Sequence, residues 1–326
     1  MHSFVTDSGR QPACSAAAPG GVAFDRPIVI VGAPRSGTTM LGRLFMAHRQ
    51  VCFLDEWRLT WKFGNDRRSD LLKPEHATPR VIAHIRARFA AEVSRRGRSR
   101  LVEKTPSNAL RLPFVDRVLP EGRYIHIIRN GYDSVRSIRR FWEGKAHGVT
   151  GLAEGRVSQR MSEVGLLRLP WYGKEIARRL LPAPLGRALL GRAEWGPRLP
   201  GMGRMLRDMH IVEVCALQWR ACVELACDFG RSLPPHRYLE LRLDQMDRAA
   251  LSRLLTFCEL DEDEGVRDFF DNRYSVHQAK ADQEPADPAE LAMIRAWIAP
   301  TMRWLGFDDE ATEMGGVRRD RAGRTP

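Results

Sequence analysis

Cysteine is scarce in this sequence of 326 residues, and no two of its six cysteines stand at the C-x-x-C spacing of a metal or redox motif. Cys215, Cys222 and Cys227 all fall within one segment of helical periodicity. We therefore expect reduced cysteines in a protein core, because neither a disulfide framework nor a zinc site has the pairs it needs. The sequence predicts no metal site.

Long apolar runs are also missing. No stretch approaches the roughly 20 apolar residues that cross a bilayer as a helix, and residues 1–24 lack the basic start and apolar stretch of a signal peptide. These absences predict a cytoplasmic protein. Residues 1–24, rich in Ala, Ser, Gly and Pro, and the basic residues 311–326 are expected to be flexible tails.

Acidic residues are outnumbered by basic ones. The chain has 52 Lys and Arg against 40 Asp and Glu, a formal net charge of +12. This charge suits a polyanionic ligand or an anionic membrane surface, so peripheral membrane contact stays open, but it does not by itself indicate nucleic-acid binding, which we do not expect. The 43% of hydrophobic residues is enough for one large α/β domain, which we place at residues 25–310.

Residues 27–46 (PIVIVGAPRSGTTMLGRLFM) form the stretch around which the rest of the chain is organised. The continuous apolar run at residues 28–31 predicts a strand buried on both faces, as in a parallel sheet. From Thr38 onward apolar residues recur at helical spacing, and Gly32 and Gly37 bracket the turn between strand and helix. Unpaired N–H groups at the start of that helix make this loop a predicted anion-binding site.

A lysine is missing from this loop. In the nucleotide-binding pattern G-x-x-x-x-G-K-[ST] a lysine follows the second glycine, whereas Thr38 stands there in this chain and Arg35 is the loop's cation. ATP-using enzymes with such loops need the lysine and a magnesium ion to offset the phosphate charge. This loop is better suited to a sulfuryl group, which carries less negative charge than a phosphoryl group.

The segment PRSGTT at residues 34–39 resembles the 5'-phosphosulfate loop of sulfotransferases that use 3'-phosphoadenosine 5'-phosphosulfate (PAPS). The resemblance spans roughly residues 26–307 and is to bacterial enzymes and to the tyrosylprotein and heparan sulfate sulfotransferases. It implies a P-loop-type central parallel sheet flanked by helices, PAPS as sulfuryl donor, 3'-phosphoadenosine 5'-phosphate (PAP) as product, and no required metal. It also implies these cofactor-binding residues: Arg35, Ser36, Gly37, Thr38 and Thr39.

The second half of the donor signature follows the strand predicted at residues 123–129 (RYIHIIR). In these sulfotransferases an arginine that closes the strand and a serine eight residues later bind the 3'-phosphate, and Arg129 and Ser137 match them. A guanidinium offers a phosphate a fork of donors, and a hydroxyl two helical turns into the next helix adds another. We therefore expect Arg129 and Ser137 to hold the 3'-phosphate.

Two glutamates and a lysine are the candidate catalytic residues. Glu56 follows the predicted strand VCFLD and matches the general base of several sulfotransferase groups, although Asp55 and Glu56 together also resemble a magnesium-binding Walker B segment. Lys104 lies in the segment EKTP at the end of another predicted strand, and the resemblance implies that it neutralises charge around the transferred group. Glu103, beside it, is the second candidate base or else half of a salt bridge within the sheet.

Residues 143–210, which are basic and rich in Gly and Pro, are predicted to form an inserted, mainly helical cap over the active site. Related enzymes hold their acceptor specificity in such regions. Two further donor contacts follow from the resemblance. They are Tyr238, near the adenine ring, and Lys280, on a loop that closes over the nucleotide.

Together these features predict transfer of a sulfuryl group from PAPS to a hydroxyl or amine. Two alternatives stay open: a P-loop phosphotransferase that uses a nucleotide with magnesium, and a non-catalytic protein that binds polyanions. The acceptor stays open among small molecules, carbohydrates, lipids and peptides. The oligomeric state stays open as well.

Overall fold

The computed structural model of the chain describes residues 24–146, 195–274 and 287–307. Nearly all of the predicted N-terminal tail, the whole of the C-terminal tail and most of the cap lie outside this part of the chain, so they stay predictions. The central feature of the described part is a sheet of five strands. They are β1 (Ile28–Val31), β2 (Val51–Asp55), β3 (Arg100–Lys104), β4 (Arg123–Ile128) and β5 (Tyr238–Arg242).

All neighbouring strands pair in parallel, in the order β2-β3-β1-β4-β5. This confirms the parallel sheet that the sequence predicts. The chain leaves β1 for β2 at one edge, returns through β3, and then crosses to β4 on the other side of β1. The order therefore reverses at β1, and in open parallel sheets ligands bind at such a point, beyond the carboxyl ends of the strands.

Helices cover both faces of the sheet. Those within the described residues are α1 (Thr38–Met46), α2 (Arg58–Trp61), α3 (Pro79–Arg95), α4 (Leu112–Val118), α5 (Gly131–Ala146), α6 (Met202–Asp208), α7 (Ile211–Gly230), α8 (Arg248–Cys258), α9 (Glu264–Phe269) and α10 (Pro288–Trp304). None of these helices is both long enough and apolar enough to cross a membrane.

The strand β1 is buried on both faces because its side chains alternate between two core layers. Ile28 and Ile30 pack in the layer formed with α1 and α8. Val29 and Val31 pack in the other layer, with α3, α5, α7 and α10. Both layers are apolar, so the continuous apolar run of β1 is what a central parallel strand requires.

The cysteines of the described residues are all buried and unpaired, as the sequence predicts. Cys215, Cys222 and Cys227 lie on α7, within the larger core layer. Burial raises the pKa of the Cys222 and Cys227 thiols, so both stay protonated at neutral pH. They act as small core residues rather than as reactive thiols.

Candidate active site

The loop between β1 and α1 folds so tightly that its two glycines are required. A Cβ atom on Gly32 would lie 2.6 Å from the carbonyl oxygen of Ile127 and 2.7 Å from the Ser36 hydroxyl, which leaves no room for a side chain. Gly37 has a φ of +99° and is the N-cap of α1. The glycines therefore let the backbone pass close to β4 and then turn directly into the helix.

Ser36 and Arg35 shape the turn itself. The buried Ser36 donates two hydrogen bonds to the carbonyl oxygen of Ala33, from its N–H at 3.2 Å and from its hydroxyl at 2.7 Å. Arg35 has a φ of +66°, which is a strained conformation for a residue with a side chain. This left-handed conformation turns the chain sharply at Arg35, the only cation of the predicted loop.

The start of α1 provides an anion-binding surface. No side chain caps this nine-residue helix, which begins at Thr38. The first N–H groups of a helix have no intrahelical acceptor, and the helix dipole adds positive potential at that end. The loop together with Thr38 and Thr39 can therefore accept a phosphate- or sulfate-like group, as the sequence predicts.

Arg129 and Ser137 lie beside this loop although about a hundred residues separate them from it in sequence. Arg35 Nε donates to the Ser137 hydroxyl at 3.1 Å, and Arg129 Nη1 donates to the carbonyl oxygen of Arg35 at 3.4 Å. Arg129 Nη2 also lies 3.7 Å from Asp133 Oδ2 on α5. The structure thus brings both predicted 3'-phosphate residues into one group with the loop's arginine.

Lys104, at the end of β3, joins the same group from the other side of β1. Its side chain is fully buried, and its Nζ lies 2.5 Å from Asp55 Oδ1, 3.3 Å from Glu56 Oε1 and 3.5 Å from Thr39 Oγ1. The ammonium therefore links the first turn of α1 to the two carboxylates at the end of β2. A cation held here can stabilise negative charge that develops beside the loop.

Glu56 lies where β2 turns into α2. It has a φ of +56°, its N–H donates to the carbonyl oxygen of Lys104 at 2.8 Å, and its own carbonyl oxygen accepts from Arg58 N at 2.7 Å. A fifth of its side chain is exposed. A carboxylate that is next to a cation and still partly open to solvent can receive a proton from an incoming hydroxyl.

Glu103 lies apart from this group although it precedes Lys104 directly. It is completely buried and accepts hydrogen bonds from the Thr105 hydroxyl and from Asn108 Nδ2, the latter at 3.0 Å. Burial raises the pKa of its carboxyl group to about 7. Because consecutive strand residues face opposite sides of a sheet, only one of the pair can face the loop, and that residue is Lys104.

Tyr238 is also not brought to the loop. It begins β5 and pairs with Tyr124 near the start of β4, whereas the loop lies beyond the carboxyl ends of the strands. Four residues of β4, about 13 Å, separate Tyr124 from Ile128. The ring of Tyr238 packs on Gly230, so the position lends no support to an adenine contact. Lys280, the other predicted contact, lies outside the described residues.

Asp55 is a site residue that sequence reasoning missed, since the sequence pointed to it only as the end of a strand and part of a Walker B-like pair. Its importance comes from the sheet register, in which Asp55 of β2 pairs with Lys104 of β3. A basic residue and an acidic residue that each close a buried strand are the signal that could have suggested this pair.

Comparison with known proteins finds similarity to sulfotransferases. The sulfotransferase family model matches residues 27–169. A Caenorhabditis briggsae protein named "Putative protein-tyrosine sulfotransferase" is 31% identical over 123 residues, a match that spans 35% of this chain and 43% of that relative.

Solved sulfotransferase structures resemble the chain over a larger share of its length. The sulfotransferase domain of the Synechococcus PCC 7002 olefin synthase has 17% identity and a TM-score of 0.48, covering 90% of this chain and 98% of that one. Sulfotransferase STF9 of Mycobacterium avium has 11% identity and a TM-score of 0.49, covering 88% and 78%. The resemblance to sulfotransferases that the sequence indicates is confirmed by the match of residues 27–169 to the sulfotransferase family.

Proposed function

We propose that this protein transfers a sulfuryl group from PAPS to a hydroxyl or amine of an acceptor. The observation that carries the proposal is the meeting of three cationic or anion-binding elements at one point of the sheet. These elements are the loop before α1, the Arg129–Ser137 pair after β4, and Lys104 at the end of β3. The family match over residues 27–169 supports the same activity.

The residues present fit the donor. Gly32 and Gly37 let the loop fold tightly against Ile127 and Leu243, where a Cβ atom would clash, and the N–H groups at the start of α1 suit the 5'-phosphosulfate. Arg129 and Ser137 suit the 3'-phosphate, because a guanidinium and a hydroxyl both donate to phosphate oxygens. When bound, PAPS supplies the sulfuryl group that is transferred, and PAP is the product.

The chain's own residues divide the remaining work. Glu56 accepts the proton of the attacking hydroxyl. Its neighbour Lys104 stabilises the negative charge that develops on the sulfuryl group and on the oxygen that joins it to the departing PAP. Asp55 holds the ammonium of Lys104 in place from 2.5 Å. We assign Glu103 a structural role, since its carboxylate is buried among Thr105 and Asn108. Arg35 and Lys104 supply positive charge, so we propose that the transfer needs no metal.

Calorimetry with PAP, ATP and AMP in the absence of magnesium tests the donor. We expect the wild type to prefer PAP and Arg129→Ala to lose at least about tenfold of that affinity. Arg117→Ala is the matched control, because Arg117 is an exposed arginine on α4. Unchanged PAP binding in Arg129→Ala would instead favour a non-catalytic polyanion-binding protein.

A magnesium-dependent phosphotransferase is the second candidate, because Asp55 and Glu56 end a buried strand beside the loop. Against it, Thr38 stands where such enzymes need a lysine. A preference for ATP when the titrations are repeated with magnesium would favour this alternative over the sulfotransferase. The single domain at residues 25–310, its cap at residues 143–210 and a cytoplasmic location remain part of the proposal, as do the open choices of acceptor.

A further inference from the structure

Five arginines line an open cavity of about 450 Å³ near the candidate active site. We call this cavity the arginine pocket. It is formed by the segment after α2 and by the segment that contains α6, and no acidic residue is among its lining residues in the described part of the chain. Its arginines are Arg67, Arg68, Arg198, Arg204 and Arg207.

The pocket is attached to the active site through Arg58 and Gly196. Arg58 follows Glu56 by two residues, at most about 7 Å along the chain, and its Nη2 donates to Asp70 Oδ2 at 3.1 Å and to the Gly196 carbonyl oxygen at 2.9 Å. A Cβ atom on Gly196 would lie 3.6 Å from Cγ of Pro34, which belongs to the loop between β1 and α1. Arg58 and Gly196 therefore connect the surroundings of the pocket to the candidate base and to the loop between β1 and α1.

Positive charge exceeds negative charge behind the pocket. Asp70 is almost completely buried. Burial acts to raise the pKa of its carboxyl group, but four cations, Arg58, Arg111, Arg198 and Lys62, together hold it below its usual value. Burial lowers the pKa of Lys62 to about 7. Arg198 Nε is buried and has no hydrogen-bond partner among the described residues. Asp66 and Glu103 also act on this group, and Lys62 is only partly charged at neutral pH, but the unpaired Nε of Arg198 is a buried donor that an anion in the pocket would satisfy.

The pocket lies between the segment that follows β2 and α2 and the segment that follows β4 and α5. Arg67 and Arg68 follow β2, whereas Arg129 and Ser137 follow β4, and these two strands lie on opposite sides of β1. The wall that holds Arg198 is joined to α5, the helix that carries Ser137, because Trp195 packs on Phe141 with their ring centroids 4.4 Å apart. The pocket therefore adjoins elements that carry the candidate base as well as the donor-binding residues.

We propose that the arginine pocket binds an oxyanion of the acceptor, so that the acceptor is a negatively charged molecule with a phosphate, sulfate or carboxylate group near the hydroxyl that is sulfated. This inference rests on the proposed function, because it assigns the partner of the same active site. It disfavours uncharged phenols and neutral lipids as acceptors.

A binding experiment tests the pocket independently of catalysis. The protein is first saturated with PAP, so that the donor site is filled, and is then titrated with inorganic pyrophosphate, phosphate, sulfate or acetate by calorimetry. Arg204→Gln/Arg207→Gln removes two exposed pocket charges, and Arg117→Gln/Arg303→Gln removes two exposed charges elsewhere. We expect pyrophosphate affinity to fall about tenfold in the pocket variant only, and to weaken with added NaCl. The four anions show which oxyanion chemistry binds best.

A transfer experiment links the pocket to the acceptor. PAPS turnover is compared for 4-hydroxyphenylacetate and its uncharged methyl ester. We expect the wild type to favour the carboxylate in kcat/KM, and the pocket variant to lose about tenfold of that preference through KM.

The two proposals fail in different ways. Absence of PAP binding would overturn the sulfotransferase function. If PAP binds normally, two results would overturn the pocket assignment alone. They are equal pyrophosphate affinity in the wild type and the pocket variant, and a preference of the wild type for the methyl ester.

Discussion

Replacing Lys104 with methionine tests the centre of the site, because it removes one charge and little volume. The Lys104 ammonium is fully buried and lies 2.5 Å from Asp55 Oδ1 and 3.3 Å from Glu56 Oε1. Methionine has a similar unbranched stem, so the packing along the side chain is kept. Both carboxylates, however, lose their cation.

The expected loss of stability follows from the burial of the two carboxylates. Removing one partner of a buried ion pair costs about 3–5 kcal/mol, because the other charge stays buried without compensation. Asp55 and Glu56 keep 33% and 20% of their side-chain surface exposed, so solvent recovers part of that loss. We expect Lys104→Met to lower the free energy of unfolding by about 2 kcal/mol. Adding Asp55→Asn should restore about half of it, since one of the two carboxylates that face the lost ammonium becomes neutral.

We expect Lys104→Met to lower activity more strongly than stability, and we expect that adding Asp55→Asn does not restore the activity. Removing one preorganised donor from a site of developing charge typically lowers kcat about 100- to 1,000-fold. Lys104→Met and Lys104→Met/Asp55→Asn should therefore be equally slow, although they differ in stability. Single-turnover formation of PAP measures the chemical step, and urea unfolding followed by tryptophan fluorescence measures stability. Lys73→Met, at an exposed position, is the control for loss of a lysine.

Two results would refute this reasoning. A folded Lys104→Met enzyme with kcat within about threefold of wild type would remove Lys104 from the chemistry. Equal destabilisation of the single and double variants would show that the contact with Asp55 is not what the lysine stabilises. The two measurements therefore separate the catalytic role of the ammonium from its structural role.

Three other changes test separate residues. Glu56→Gln should keep PAP affinity and lower kcat about 100-fold in a steady-state PAPS assay, and wild-type turnover would exclude Glu56 as the base. Burial raises the pKa of Glu103 from 4.5 to about 7, so the native state binds this proton more tightly than the unfolded state does. The contribution of Glu103 to the free energy of unfolding thus falls as pH rises through that interval, and Glu103→Gln should flatten the pH dependence in urea unfolding; an unchanged slope would contradict the shift. Tyr238→Phe should keep PAP affinity within about twofold by calorimetry and lower the free energy of unfolding by about 1 kcal/mol, because its hydroxyl donates to Glu240. A tenfold loss of PAP affinity would return Tyr238 to the adenine site.

The parts of the site that the sequence predicts are those built from consecutive residues. The apolar run of β1, the two glycines and the helical spacing after Thr38 together predict a strand, a tight glycine loop and a helix, and all three are observed. Arg129 follows directly after β4 and Ser137 lies on α5, the next helix, so the spacing of this pair is also local. Local patterns of this kind depend little on how distant elements pack.

The parts that the sequence could not settle depend on sheet register. Asp55 and Lys104 are 49 positions apart, and only the parallel pairing of β2 with β3 brings them together. Which of Glu103 and Lys104 faces the loop likewise depends on the side of the sheet to which each strand position points. The neighbouring residues in the sequence do not determine that side. Tyr238 was expected near the nucleotide, but it begins β5 rather than ending it.

Backbone strain gives a reason to assign function to Arg35 and Glu56 that is independent of any resemblance. They are two of the four non-glycine residues with positive φ in the described part of the chain. This conformation costs about 1–2 kcal/mol for such residues, and glycine would adopt it without strain. Each is held by a neighbour that carries charge, since Arg129 donates to the carbonyl oxygen of Arg35 and the N–H of Glu56 donates to that of Lys104. Stability alone would favour glycine at both positions, so the retained charged side chains support the donor-binding role that we propose for Arg35 and the proton-accepting role that we propose for Glu56.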